Sequence, residues 1–190
     1  MSIVVAGIGC RTDPTEGMSK KKAAEEFMSW WLWADPQDWV VFTDGSKYKQ
    51  QLGYGFAIYR GGADSPVETE CGGVDPCAVV FDAEALGALR GLQRTSQRHF
   101  LTSHQLVESH QGVISLKWSP GHMNIPGNEV ADDMAKEGLD APQDPGSTPT
   151  LAGFKMSLKK ELRSIRNDMW GNASGGALFT VQELETRVQR

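Results

Sequence analysis

The pattern of apolar and polar positions divides this chain into helical and extended segments separated by turns. Between positions 19 and 33, Ala24, Phe27, Met28 and Trp31 follow i, i+3, i+4, i+7 spacing, which puts them on one helix face. Asp35-Pro36 closes that helix, because the residue before a proline avoids the helical region. Trp39 to Thr43 is an apolar run that predicts a buried strand, and Gly53 to Tyr59 an aromatic-rich second strand. Arg60 to Asp64 supplies a turn and Pro66 to Val74 a third strand, so the three predict an antiparallel meander. Two helices follow. One runs from Asp82 to Gln93 with Ala85, Leu86, Leu89 and Leu92 inward, the other from Gln97 to His110 with Phe100, Leu101 and Val107 inward. Val113 to Trp118 predicts a strand and Ser119 to Gly127 a loop. Asn128 is expected to cap a helix carrying Val130, Ala131, Met134 and Ala135. Residues 139–150, with three prolines, predict a linker. Residues 151–170 predict a basic amphipathic helix with Leu151, Phe154, Leu158, Leu162 and Ile165 at near-helical spacing, broken by Asn172 to Gly176. At the other end, Ile3 to Ile8 is a short apolar stretch followed by a turn-rich segment with Asp13-Pro14.

Composition adds bounds. The chain has 190 residues, of which 39% are hydrophobic and six are Trp, enough for one domain with a real core. Its net charge of −5 is not the footprint of a constitutive nucleic-acid binder, which is usually basic. It is compatible with an enzyme that meets nucleic acid through a local patch and bridging metals. Cys10, Cys71 and Cys77 are odd in number and form no CxxC pair, so reduced intracellular thiols are expected. No apolar run approaches the roughly 20 residues of a membrane span, and the N-terminal stretch lacks the basic region of a signal peptide. An intracellular protein, cytoplasmic or nuclear and not secreted, is the expectation.

The candidate chemistry lies in acidic residues from distant segments. Asp44 ends the run Val40 to Thr43 and is followed by Gly45-Ser46. Glu84 lies at a helix start in Asp82-Ala83-Glu84, and Asp132 lies early in the helix after Gly121-His122. Carboxylates brought together from separate elements suit a hard divalent cation, because Mg²⁺ prefers oxygen ligands. Each signal also has a plain structural reading. Asp-Gly-Ser tripeptides are commonly turns, acids at helix starts are favoured by the macrodipole, and a lone loop histidine is usually solvated. Asp133 follows Asp132 by about 100° round the helix and is expected to point elsewhere. His99, His104 and His110, on one predicted helix, are read as surface or packing residues. Lys47 and Lys49 are read equally as solvated turn lysines and as phosphate contacts.

Taken together, Asp44-Gly45-Ser46 with the Gly53 to Tyr59 strand, the Asp82-Ala83-Glu84 triplet and the segment Lys117 to Gly138 resemble the ribonuclease H family. The likeness is closest to the ribonuclease H domains of fungal retroelement reverse transcriptases. It covers residues 39–139. Residues 1–38 are then an N-terminal extension with one helix, and 140–190 a linker with a C-terminal helical extension. The resemblance implies an α/β, ribonuclease H-like fold: a mixed sheet with an antiparallel three-stranded meander plus parallel strands, flanked by helices. It implies hydrolysis of the RNA strand of RNA–DNA hybrids, with two Mg²⁺ ions (or Mn²⁺) held by Asp44, Glu84 and Asp132. His122 would assist proton transfer and product release, Asp82 would be a capping residue, and backbone groups near Gly45 and Ser46 would contact the hybrid. An adjoining reverse transcriptase domain is an implied partner; a membrane is not.

The same likeness exposes a gap. The family has a central parallel strand, ending in a third catalytic aspartate, between its first two long helices. Here Leu92 to Phe100 joins those helices directly, and no aspartate occurs between Asp82 and Asp132. One central strand is therefore expected to be missing, which would leave unpaired backbone groups on its neighbours. Either the last strand shifts to pair with the first, or Ile3 to Ile8, the one spare strand-like segment, fills the gap, or the chain folds poorly. Cleavage is expected to be impaired. The alternative is an inactive retroelement remnant that binds nucleic acid weakly or serves as a protein-interaction module.

Overall fold

A computed structural model of the chain describes residues 2–7, 15, 17–103 and 113–173. The protein is α/β, with five strands in one mixed sheet flanked by helices. Strands β2 (Trp39–Tyr48) and β3 (Gln51–Arg60) form a long hairpin, registered from Trp39↔Arg60 to Tyr48↔Gln51. Lys49 turns the chain between them in the left-handed region, at φ 54°. Strand β4 (Glu68–Val74) pairs antiparallel with β3 and completes the expected meander.

The spare segment fills the gap. Strand β1 (Ser2–Ala6) lies parallel between β2 and β5 (Val113–Lys117), giving the order β4-β3-β2-β1-β5. Its registers, Val4↔Val40 and Val4↔Ser115, pair Ile3–Ala6 with β2 and Ser2–Ala6 with β5. A strand buried on both faces reads as a continuous apolar run, and Val4, Val5 and Ala6 are all buried. The expectation of a sheet short of one central strand is thus corrected: the backbone place is occupied. Residues 1–38 are likewise more than an extension. Helix α1 (Lys20–Leu32), capped by Ser19 Oγ accepting from Lys22 N–H at 3.3 Å, packs on the sheet. Trp31, Phe42 and Tyr59 meet edge to face, with centroids 5.4 to 5.6 Å apart, in a core that also holds Val4 and Ala6.

Helix α2 (Val80–Ser103) covers the opposite face through the core that contains Val5, Val41, Phe56 and Ala88. It replaces the two helices expected over 82–93 and 97–110. No Gly or Pro interrupts residues 92–103, so nothing stops the first helix. The continuation through His104 and His110, like Ile8, Asp13-Pro14 and the chain from 174 on, lies outside the described residues. Asp82 caps α2 as expected, accepting from Val79 N–H at 3.0 Å. Helix α3 (Pro126–Glu137) starts at Pro126, with Ile125 before it and no side-chain cap. Asn128 is therefore inside the helix and buried, not its cap.

Residues 139–150 are docked, not free. Gly73 N–H donates to Pro142 O at 3.0 Å, and Asp144 N–H to Gly73 O at 2.8 Å. The Asp144 carboxylate takes both sides of the Arg90 guanidinium and accepts from Tyr54 Oη at 2.9 Å. This strap delivers Thr150 to the Asp82 carboxylate, at 3.3 Å, where helix α4 (Leu151–Ala173) begins. Among the described residues no helix is long and apolar enough to cross a membrane.

The Arg90 pairing holds the Asp144 carboxyl at about 2, below its ordinary 3.8, so the strap adds stability above pH 4 that is lost as pH falls through 2. Asp144→Ala should cost about 2–3 kcal/mol at pH 7, because Arg90 and Tyr54 lose a charged partner. Denaturant unfolding at pH 7 and at pH 2.5 checks this: the difference from wild type should shrink at the lower pH, and equal stability at pH 7 would contradict the strap.

Candidate active site

Asp44 stands on β2, opposite Gly55 on β3, directly after the fully buried Thr43. Two close approaches, each needing a glycine, bring the other carboxylates to it. A side chain at Gly55 would collide with the backbone of Ala131 and Ala135, so α3 lies against the hairpin and carries Asp132 with it. A side chain at Gly45 would stand 2.8 Å from Val80 O and 3.1 Å from Glu84 N, so the start of α2 presses on β2 and carries Glu84. Thr43 Oγ1 ties the same two elements by donating to Glu84 O at 3.1 Å. The glycine at 45 is thus required by α2, and the space beside it is filled by protein. Ser46 is half-buried one residue on, opposite Gly53.

The electrostatics follow from that packing. Burial pushes the Asp44 carboxyl up to about 6, and the charges of Asp132 and Glu84 push the same way. The Gly45 N–H, donating to Asp44 Oδ1 at 2.7 Å, and His122 oppose the rise. Asp44 therefore feels all three of the other candidate residues. His122 is exposed on the β5–α3 loop, with its backbone in the left-handed region (φ 58°) like that of Asn124 (φ 57°). Glu129 Oε1 steadies this loop by accepting from Asn124 N–H at 3.2 Å.

Two residues that the sequence reading passed over change the site. Lys136 Nζ lies 2.8 Å from Asp132 Oδ2 and 3.1 Å from Asp133 Oδ1. The i, i+4 spacing of Asp132 and Lys136 was the available signal. The neighbouring acids differ as expected, with the Asp132 side chain 16% exposed and that of Asp133 70%. Gly7, just past β1, is the other. It adopts φ 99°, and a side chain there would run into Thr43 O and come within 3.4 Å of Asn128 Oδ1. The strand that fills the gap therefore ends beside Thr43 with no carboxylate at Gly7.

Carboxylates are the ligand type that a hard divalent cation such as Mg²⁺ or Mn²⁺ takes, but the arrangement of Asp44, Glu84 and Asp132 does not by itself form a closed ligand set. It is not drawn tight: among the described residues no group of three or more His, Cys, Asp or Glu is gathered closely enough to hold a metal ion. A cation at Asp132 has to compete with the Lys136 ammonium.

A carboxyl raised in the folded state takes up a proton between pH 4 and 6, and its ionisation above that range opposes folding. Asp44→Asn removes the charge. Discounted for solvent screening at this half-buried site, it should stabilise by roughly 1 kcal/mol, or about 2–4 °C in Tm, at pH 7.5. The gain should fade toward pH 4, where wild-type Asp44 is itself protonated; thermal unfolding across that range checks it, and no gain at pH 7.5 would contradict the crowding of charge. No protein-family model, curated protein or solved structure matches this chain.

Proposed function

We propose that this chain is a ribonuclease H-type domain, a metal-dependent endonuclease acting on the RNA strand of RNA–DNA hybrids, with activity lowered by the lack of a third aspartate. The observation that carries the reading is the packing of α2 and α3 against β2 and β3 at Gly45 and Gly55, which brings Glu84 and Asp132 toward Asp44; the burial-raised Asp44 carboxyl, in the field of Asp132, Glu84 and His122, agrees with it. The sheet order β4-β3-β2-β1-β5, an antiparallel meander extended by parallel strands, supports a ribonuclease H-like fold. The likeness of Lys117 to Gly138 to the family's histidine loop and last catalytic helix supports the roles.

Asp44, Glu84 and Asp132 would hold the cations, which when bound activate water and stabilise the leaving 3′-oxygen. The protein's own residues do the rest. β2 fixes the direction of the Asp44 carboxylate, and α2 and α3 bring up their acids on packed helices. His122, exposed on its loop, is free to take and return a proton near the departing product. A hybrid would be read by shape and by its 2′-hydroxyls, so base sequence matters little; the space beside Gly45 is taken by α2, which leaves the half-buried Ser46 as the candidate backbone contact.

A second reading, a domain that binds hybrid without cutting it, is favoured by two specific features. Gly7 has no room for a side chain, and Lys136 holds an oxygen of Asp132.

Purified protein should cleave the RNA strand of a labelled hybrid in Mg²⁺ or Mn²⁺, and Asp44→Asn should abolish this. Lys136→Met should raise the rate several-fold by freeing Asp132. Binding without cleavage by a folded protein would establish the second reading, and neither binding nor cleavage would overturn both.

A further inference from the structure

Helix α4 leaves the body of the protein after its first turn. Thr150 Oγ1 accepts from Gly153 N–H at 3.2 Å, and the Asp82 carboxylate accepts from Thr150, which fixes where the helix starts. Gly153 is buried against Asp82 and Cys77. Beyond it, no described side chain of α4 is buried. Yet the helix carries an ordered apolar row: Leu151, Phe154, Leu158, Leu162, Ile165 and Met169, each between 44% and 68% exposed. Their spacing is 3-4-4-3-4, so that 151, 154 and 158 recur at 162, 165 and 169. An eleven-residue repeat of 3.67 residues per turn keeps the row nearly parallel to the helix axis for about 27 Å. A row this long and straight fits another helix.

The flanks of the row say which helix. At about 100° per residue, Lys155, Lys159 and Arg166 fall along one side and Glu161 and Asp168 along the other. When two copies of one helix pack in parallel, each flank meets the opposite flank of its partner, and a residue on one side faces the fifth residue on of the other chain. Glu161 then faces Arg166 of the second copy, twice by symmetry. Antiparallel packing would set basic flank against basic flank. An anionic lipid surface would meet Glu161 and Asp168 on one whole side of the row, where such surfaces select Lys and Arg.

We propose that α4 pairs with α4 of a second copy of this chain, in parallel and in register, so that the protein is a two-fold dimer joined along this row. The pairing is independent of what the Asp44 site does.

Analytical ultracentrifugation of the full chain at micromolar concentration tests it, with thermal unfolding alongside. Wild type should sediment as a dimer, and the double variant Leu158→Glu, Leu162→Glu as a monomer with an unchanged body transition, since both positions are exposed. Glu161→Lys and Arg166→Glu should each weaken the dimer on the order of tenfold, and an equimolar mixture of the two should restore it. A monomeric wild type, including one that floats with phosphatidylserine vesicles, would overturn the proposal. So would a mixture no heavier than its components.

Discussion

Strand β1 is paired with β2 on one side, through Ile3–Ala6, and with β5 on the other, through Ser2–Ala6, and the longer-range arrangements follow from that double pairing. Without β1, the facing edges of β2 and β5 would present rows of unpaired N–H and C=O groups, which a folded protein does not leave buried. With it, β5 takes its place at the sheet edge, the loop carrying His122 starts from a defined point, and α3 runs back across β2 and β3. The chain that leaves β1 returns through α1, whose Phe27 and Trp31 enter the same core as Phe42 and Tyr59. The N-terminal segment and the motif-bearing region share one sheet and one core.

Strand β1 supplies backbone pairing and no carboxylate. A carboxylate is useful beside Asp44 only if the strand ends with room for it. Gly7 ends β1 in a left-handed turn pressed against Thr43, so the position admits no side chain. What remains is a site of accumulated negative charge made by close helix–strand contacts at Gly45 and Gly55. Lys136 offsets part of it from outside. Burial of Asp44 and repulsion from Asp132 and Glu84 oppose its ionisation in the fold.

Local structure was largely legible in the sequence, and long-range partnerships were not. The β2–β3–β4 meander, α1, β5 and the start of α4 are written in periodicity and in turn residues, and they stand close to where those signals put them. Which strands the Ile3 stretch would join could not be read locally, because a short apolar run carries no address. The break expected between helices over 82–93 and 97–110 rests on likeness to a pattern, while residues 92–103 contain no Gly or Pro to stop a helix. The prolines of 139–150 suggested a loose linker, whereas the contacts that dock it, Asp144 with Arg90 and Tyr54, join residues 54 and 90 positions apart. At the site, Asp44, Glu84, His122 and Asp132 were identified by motif alone. The approach of Glu84 and Asp132 toward Asp44 depends on close contacts at Gly45 and Gly55 that only the packed structure reveals.

The most direct test of this account is amide hydrogen exchange along β1. If Ser2–Ala6 is the central strand of the sheet, the amides of Val4, Val5 and Ala6 should exchange only through global unfolding, as slowly as those of Val40 and Val41. Exchange of the β1 amides at the rate of a frayed terminus, while β2 stays protected, would contradict it.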